Sequence, residues 1–154
     1  MTSLKMIQLN FETGGYNLLA RVIINGKPAL LLVDTSSAKT VLDTDHLQKF
    51  VNQTELKRNP RKSMASGLTS VYSYVATIEK LEIGSVVINN YKLSAVDLSQ
   101  INRTFRSLGN PQIDGLLGCD LLRHCKAVIR FEERVLELHT MEEPTDASKN
   151  EIID

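Results

Sequence analysis

The chain has no tryptophan, and only four tyrosines and four phenylalanines stand among its 154 residues. A core built from it has to rest on Leu, Ile and Val. Charge of one sign is also missing. Eighteen Lys and Arg balance eighteen Asp and Glu, so no global field attracts nucleic acid or an anionic membrane. No apolar run is long enough to span a bilayer. Cysteine is scarce: Cys119 and Cys125 flank a short helical segment. No basic stretch leads into an apolar one at Met1-Thr2-Ser3-Leu4-Lys5, so a signal peptide is not expected. Two reduced, partly buried thiols in a cytoplasmic protein are therefore expected, rather than a disulfide framework. There is no internal repeat and no low-complexity block.

What the chain does have is a 42% hydrophobic content, enough for the core of one domain. That domain is expected over residues 1–140. From Met141 onward Glu142, Glu143, Asp146, Glu151 and Asp154 outweigh Lys149, and residues 141–154 read as an acidic, disordered tail. Short strands separated by turns fill most of the rest, as in a sandwich or barrel. Met6 to Phe11 alternates apolar and polar residues. Tyr16 to Ile24 and Lys27 to Val33 flank Asn25-Gly26, a strong type I′ hairpin signal. Further strands are expected over Val71 to Ile83, Val86 to Ile88, Tyr91 to Leu98 and Ile113 to Leu117, with a closing hairpin of Lys126–Phe131 and Val135–His139. Asn89-Asn90 reads as a break. Asp43 or Thr44 is expected to cap a helix through His46, Leu47 and Phe50, and Gly118 to His124 forms a second short helix. Asn52 to Ser63 and Ser99 to Pro111 read as exposed loops.

The site candidate is Asp34-Thr35-Ser36. It follows directly on Ala29-Leu30-Leu31-Leu32-Val33, a run that reads as a strand buried on both faces. Placing a carboxylate at the end of such a strand is costly unless it is hydrogen-bonded, which suggests a chemical task. About eighty residues later a second apolar segment ends in Ile113-Asp114-Gly115-Leu116-Leu117-Gly118.

At these two places the chain resembles the retropepsin-like aspartic proteases of the single-domain, bacterial type. Leu31 to Leu42 is similar to their active-site segment, two apolar residues followed by Asp-Thr-Gly or Asp-Ser-Gly. Ile113 to Leu122 is similar to their second signature. Ala127 to Phe131 and Val135 to Leu138 resemble their closing hairpin. The resemblance spans roughly Met6 to His139 and implies an all-β fold, a closed barrel of half-pepsin type with one or two short helices. It implies an aspartic endopeptidase needing no metal or organic cofactor, with an extended polypeptide as substrate. Peptide hydrolysis by this route uses two carboxylates sharing one proton. With only one Asp-Thr-Ser segment present, the second Asp34 would come from a twofold-related copy, making a homodimer. By the same resemblance Thr35 orients the carboxylates across the axis, and Ser36, Ser37 and Ala38 belong to the substrate-contacting loop. Ser63 to Ser70 corresponds to the flap, with Ser66, Gly67 and Leu68 touching substrate. Two departures stand out: Ser36 replaces the family's glycine, and Ala38 stands where the family often has a polar residue.

Other readings of these residues are less demanding. Asp-Thr-Ser after a strand also fits a simple Asx-type turn. Asp114 precedes glycine and reads as a turn residue rather than a second catalytic acid. His46, His124 and His139 have no metal-ligand spacing and read as surface or helix-end residues. No histidine is positioned by pattern to activate Ser36 or Ser37. The glycines form no phosphate-cradling loop. Lys57, Arg58, Arg61 and Lys62 carry no interleaved aromatics and read as a solvated loop. Ser36 and Ala38 also fit a non-catalytic peptide-binding or dimerisation module on the same fold, and an unrelated ligand-binding barrel is a third possibility.

Overall fold

A computed structural model describes residues 1–11, 14–52, 57–65 and 69–139, with the backbone alone described between 57 and 73. The tail at 141–154 lies outside the described residues. The strands are β1 (Thr2–Lys5), β2 (Ile7–Asn10), β3 (Tyr16–Ile24), β4 (Lys27–Val33), β5 (Val41–Asp43), β6 (Lys57–Ala65), β7 (Thr69–Ile83), β8 (Val86–Val96), β9 (Gly115–Leu117), β10 (Val128–Arg130) and β11 (Val135–Leu138). Helices α1 (Ser99–Ser107) and α2 (Cys119–His124) and a 3₁₀ turn over Thr44–Lys49 complete the described elements.

One sheet runs β2-β3-β4-β9-β5-β8-β7-β6, and an additional β3–β7 pairing closes it on itself. Six strands thus form a ring: β3, β4, β9, β5, β8 and β7. This is the closed barrel expected from the sequence. The β3–β4 turn is built as Asn25-Gly26 requires, with φ of 50° and 81°. A second sheet, β1-β11-β10, joins the two ends of the domain.

Strand β4 explains why its sequence is apolar throughout. Ala29 and Leu31 pack inside the barrel with Leu18, Ile78 and Leu117. Leu32 packs on the opposite face with Leu9, Leu19, Leu98, Phe105 and Ile113. Both faces are covered, so both sets of side chains leave water and contribute to stability.

The structure corrects several sequence expectations. Residues 99–107 form α1 rather than a loop. Leu98, Asn102 and Phe105 are buried at helical spacing, a pattern masked by the polar residues between them. Asn102 joins α1 to the start of β9: its Oδ1 accepts from Ile113 N at 2.7 Å and its Nδ2 donates to Ile113 O at 3.1 Å. Lys57–Ala65 is a strand paired with β7, not an exposed connection. Pro60 is accommodated because β6 is an edge strand and its register shifts between Arg58 and Lys62. β8 runs through Asn89-Asn90 without a break, with Asn90 in the left-handed region (φ 53°). Thr2–Lys5 forms a strand of its own, held by pairing with β11. The element behind Asp43 is a 3₁₀ turn, with Asp43 as the expected cap.

Candidate active site

Strands β4 and β5 flank β9 on its two sides. The loop joining them, Asp34 to Thr40, therefore crosses over the end of β9. Asp34 N donates to Leu117 O at 3.0 Å and continues the β4–β9 ladder. Past it, Cys119 N donates to Ser37 O at 2.8 Å and Asp120 N to Ala38 O at 3.2 Å. Gly118 lies directly beneath the crossing: a Cβ there would sit 2.5 Å from Lys39 C and 2.9 Å from Ser37 O. The two sequence signatures, about eighty residues apart, thus form a single interlocked unit.

Thr40 and Asp120 pin the far end of the loop. Asp120 Oδ1 accepts from both the amide and the hydroxyl of Thr40 at 2.8 Å, and Thr40 Oγ1 accepts from Gly118 N at 3.0 Å. Tyr91 donates its hydroxyl to Asp120 Oδ2. Burial raises the Asp120 pKa, but the hydrogen bonds from Tyr91, Thr40 and the Leu121 amide outweigh it and hold the carboxyl below its usual range. Burial, with the Asp120 hydrogen bond and charge, pushes the Tyr91 hydroxyl well up, so it remains a neutral donor.

Asp34 is half-buried at the near end. Its Oδ1 accepts from Ser36 N at 3.0 Å and from Ser36 Oγ at 2.5 Å, and it has no ion-pair partner among the described residues. Ser36 is not among the residues with positive φ, so a Cβ is accommodated without backbone strain. Thr35 is exposed, and its carbonyl accepts from Cys119 Sγ at 3.0 Å. Ser37 Oγ donates to Lys39 O at 2.7 Å. It therefore braces the loop, while Ala38 is exposed. Both cysteines are free.

A cavity of about 580 Å³ opens beside this turn, lined by Tyr16, Asn17, Leu18, Val33, Asp34, Thr35, Ser36, Ile129 and Phe131. Tyr16 and Phe131 form its aromatic wall, with ring centroids 4.7 Å apart. A second, mainly apolar cavity of about 380 Å³ adjoins it, sharing Asn17, and is lined also by Phe11, Leu32, Ile101, Thr104 and Phe105. None of these partners stands out in the sequence. The Leu98–Ile101–Phe105 spacing is the one signal that points to part of the set. The expected substrate contacts Ser66, Gly67 and Leu68 lie outside the described residues.

Asp114 is kept out of the chemistry by its partners. It is 8% exposed, and its carboxylate accepts from Leu30 N at 2.9 Å and Lys49 Nζ at 3.1 Å. His46 Nδ1 lies 2.8 Å from Asp114 Oδ1, and its Nε2 is 3.6 Å from Asp43 Oδ2. His46 is thus a bridge between two carboxylates, not an isolated surface residue. Carboxylates of Asp43, Asp45 and Asp97 converge within 4.8 Å. Asp43 is already engaged, accepting from the Asp45 and Leu98 amides and from Asn102 Nδ2.

A closed six-stranded barrel carrying Asp-Thr-Ser on a loop locked over a Leu-Leu-Gly strand end defines a scaffold of the aspartic protease class. Residues 20–121 match the family described as Aspartyl protease, and the chain belongs to that family. Its fold is similar to the crystal structure of a retropepsin-like aspartic protease from Rickettsia conorii (TM-score 0.56, 19% identity, covering 90% of this chain and 89% of that one). It is also similar to the retroviral protease-like domain of Ddi1 from Leishmania major (TM-score 0.55, 11% identity, covering 81% and 90%). No curated protein matches the chain in sequence.

Proposed function

We propose that this protein is an aspartic endopeptidase that works as a homodimer, each copy supplying one Asp34. The observation that carries this reading is a half-buried carboxylate, without an ion-pair partner among the described residues, on the rim of a 580 Å³ cavity. One Asp34, ionised, takes the proton of the attacking water. Its counterpart, protonated, polarises the scissile carbonyl. Two carboxylates in close contact cannot both ionise, so the pair titrates in two steps. Thr35 orients the pair across the axis, and the segment Ser63 to Ser70 acts as the flap. The substrate is an extended polypeptide, held by main-chain hydrogen bonds with side chains in alternate pockets. The cavity against α1 suits an apolar side chain. The direct test is cleavage of an unfolded protein by the wild type and by Asp34→Asn.

The need for a second copy is supported by the sheet β1-β11-β10. Among the described residues β10 is one of its two edges, and Ile129 and Phe131 share the cavity of Asp34, with Val128 42% and Phe131 54% exposed. An unpaired edge flanked by exposed apolar side chains is a template for another strand. We expect Phe131→Glu to shift the protein from dimer to monomer in sedimentation velocity and to remove cleavage with it. A monomer that still cleaves peptide would overturn the shared dyad.

One feature favours a second reading, a peptide-binding module without catalysis. The Ser36 hydroxyl occupies Asp34 Oδ1 at 2.5 Å, where an activated water has to compete. Ser36→Gly removes that hydroxyl and leaves Oδ1 with the backbone amide at position 36 alone. For a protease, the expected result is measurable wild-type cleavage that rises by about tenfold in Ser36→Gly, the loss of one hydrogen bond's competition. Cleavage that appears in Ser36→Gly alone selects the binding module.

A further inference from the structure

Beyond the Asp34 turn, the same loop borders a second, smaller cavity. It holds about 250 Å³ and is lined by Lys39, Thr40, Val75, Lys92, Ser94 and Asp120, with Tyr91 and Leu93 completing it. Four elements meet there. Lys39 and Thr40 close the Asp34 loop, Asp120 opens α2, Val75 comes from the hairpin strand β7, and Lys92 and Ser94 come from β8. The register explains the meeting: Ser94 pairs with Val75 on one side and Val41 on the other.

The charges in this cavity are unequal. Asp120 is already engaged by the Thr40 amide and hydroxyl and by the Tyr91 hydroxyl. Lys39 and Lys92 are exposed and have no ion-pair partner among the described residues. Two lysines therefore line the cavity against one carboxylate that is already engaged. The cavity is below the roughly 300–1,000 Å³ of a drug-sized ligand site and has room for a single side chain. Only Thr35 to Ala38 separate Lys39 from Asp34, so the two lie at most about 18 Å apart, the span of roughly five residues of extended peptide.

We infer that this cavity is an acidic-residue subsite: Lys39 and Lys92, with the Ser94 hydroxyl, hold the carboxylate of a glutamate or aspartate flanking the scissile bond. The inference rests on the protease reading and names its substrate class, a polypeptide with an acidic residue to one side of the cleaved bond. Its energy is that of solvent-exposed ion pairs, so the preference is modest and falls with salt.

The test uses the full chain carrying Asp34→Asn, so that bound peptides stay intact. Fluorescent peptides of one apolar-centred sequence are scanned with glutamate, glutamine or lysine at each position. The expected result is one position at which glutamate binds about five- to tenfold more tightly than glutamine, and lysine more weakly than either. Lys39→Glu with Lys92→Glu should invert the order of glutamate and lysine at that position, while Lys39→Arg with Lys92→Arg should preserve it. Equal binding of glutamate and glutamine peptides throughout overturns the inference, as does a glutamate preference that survives the double charge reversal, or the absence of any peptide binding. Cleavage of the same peptides by the wild type is measured separately and decides the protease reading on its own.

Discussion

Asp34→Asn is expected to reduce peptide hydrolysis by about 10²–10⁴-fold, the usual contribution of a general acid–base group, while leaving the fold intact. The reason lies in how Asp34 is held. Its Oδ1 is an acceptor for Ser36 N and Ser36 Oγ, and an asparagine Oδ1 can accept both bonds, each weaker than to a carboxylate. The side chain is half-exposed and forms no ion pair among the described residues, so its neutralisation strands no buried cation. What asparagine cannot do is share a proton with a facing carboxylate. The variant should therefore match the wild type in thermal unfolding and in dimer formation, yet lose turnover in kcat more than in KM. Unchanged hydrolysis in Asp34→Asn would rule out the mechanism, whereas lost activity accompanied by lost stability would mean that Asp34 holds the loop together.

Gly118→Ala should have the opposite signature, a collapse of stability that takes activity with it. The added Cβ would meet Lys39 C at 2.5 Å, Lys39 O at 2.6 Å and Ser37 O at 2.9 Å. All three are backbone atoms, so no rotamer change relieves the clash. The loop has to lift from β9, and the bonds from Cys119 N to Ser37 O and from Asp120 N to Ala38 O go with it. Overpacking at such a point costs about 3 kcal/mol, a fall in Tm of about 6–12 °C for a chain of this size. Gly15 makes a useful control, because a Cβ there meets nothing within 4 Å. Gly15→Ala should leave Tm within about 1 °C. Calorimetry of the two variants checks both statements, and a Gly118→Ala protein as stable as the wild type would show that the loop does not need this close approach.

The two residues also differ in how far their roles are written in the local sequence. The Asp34 turn was legible because its signal is local: an apolar strand, then a carboxylate, a hydroxyl and a small residue in succession. Asn25-Gly26 was legible for the same reason, since few residues accept positive φ at both central positions of a turn. α1 is hidden in the sequence because its buried side is only Leu98, Asn102 and Phe105 among polar neighbours, and because Leu98 provides no side-chain cap. β6 is hidden because Pro60 and four cations read as a loop, and only pairing with β7 on either side of the irregularity between Arg58 and Lys62 makes it a strand. His46 looked isolated because Asp114 lies 68 residues away.

Sequence alone pointed to the aspartic protease family, to the all-β class and to Asp34 as the candidate carboxylate, since motifs, turn stereochemistry and strand alternation are written in near neighbours. The tertiary structure alone decided what surrounds Asp34. Tyr16 meets Phe131, Lys39 and Lys92 line one cavity, and Gly118 slides beneath Lys39 through pairings that close only when the barrel does. The physical reason is that a cavity is a property of packed surfaces from distant segments, and no local preference of any one segment encodes its walls.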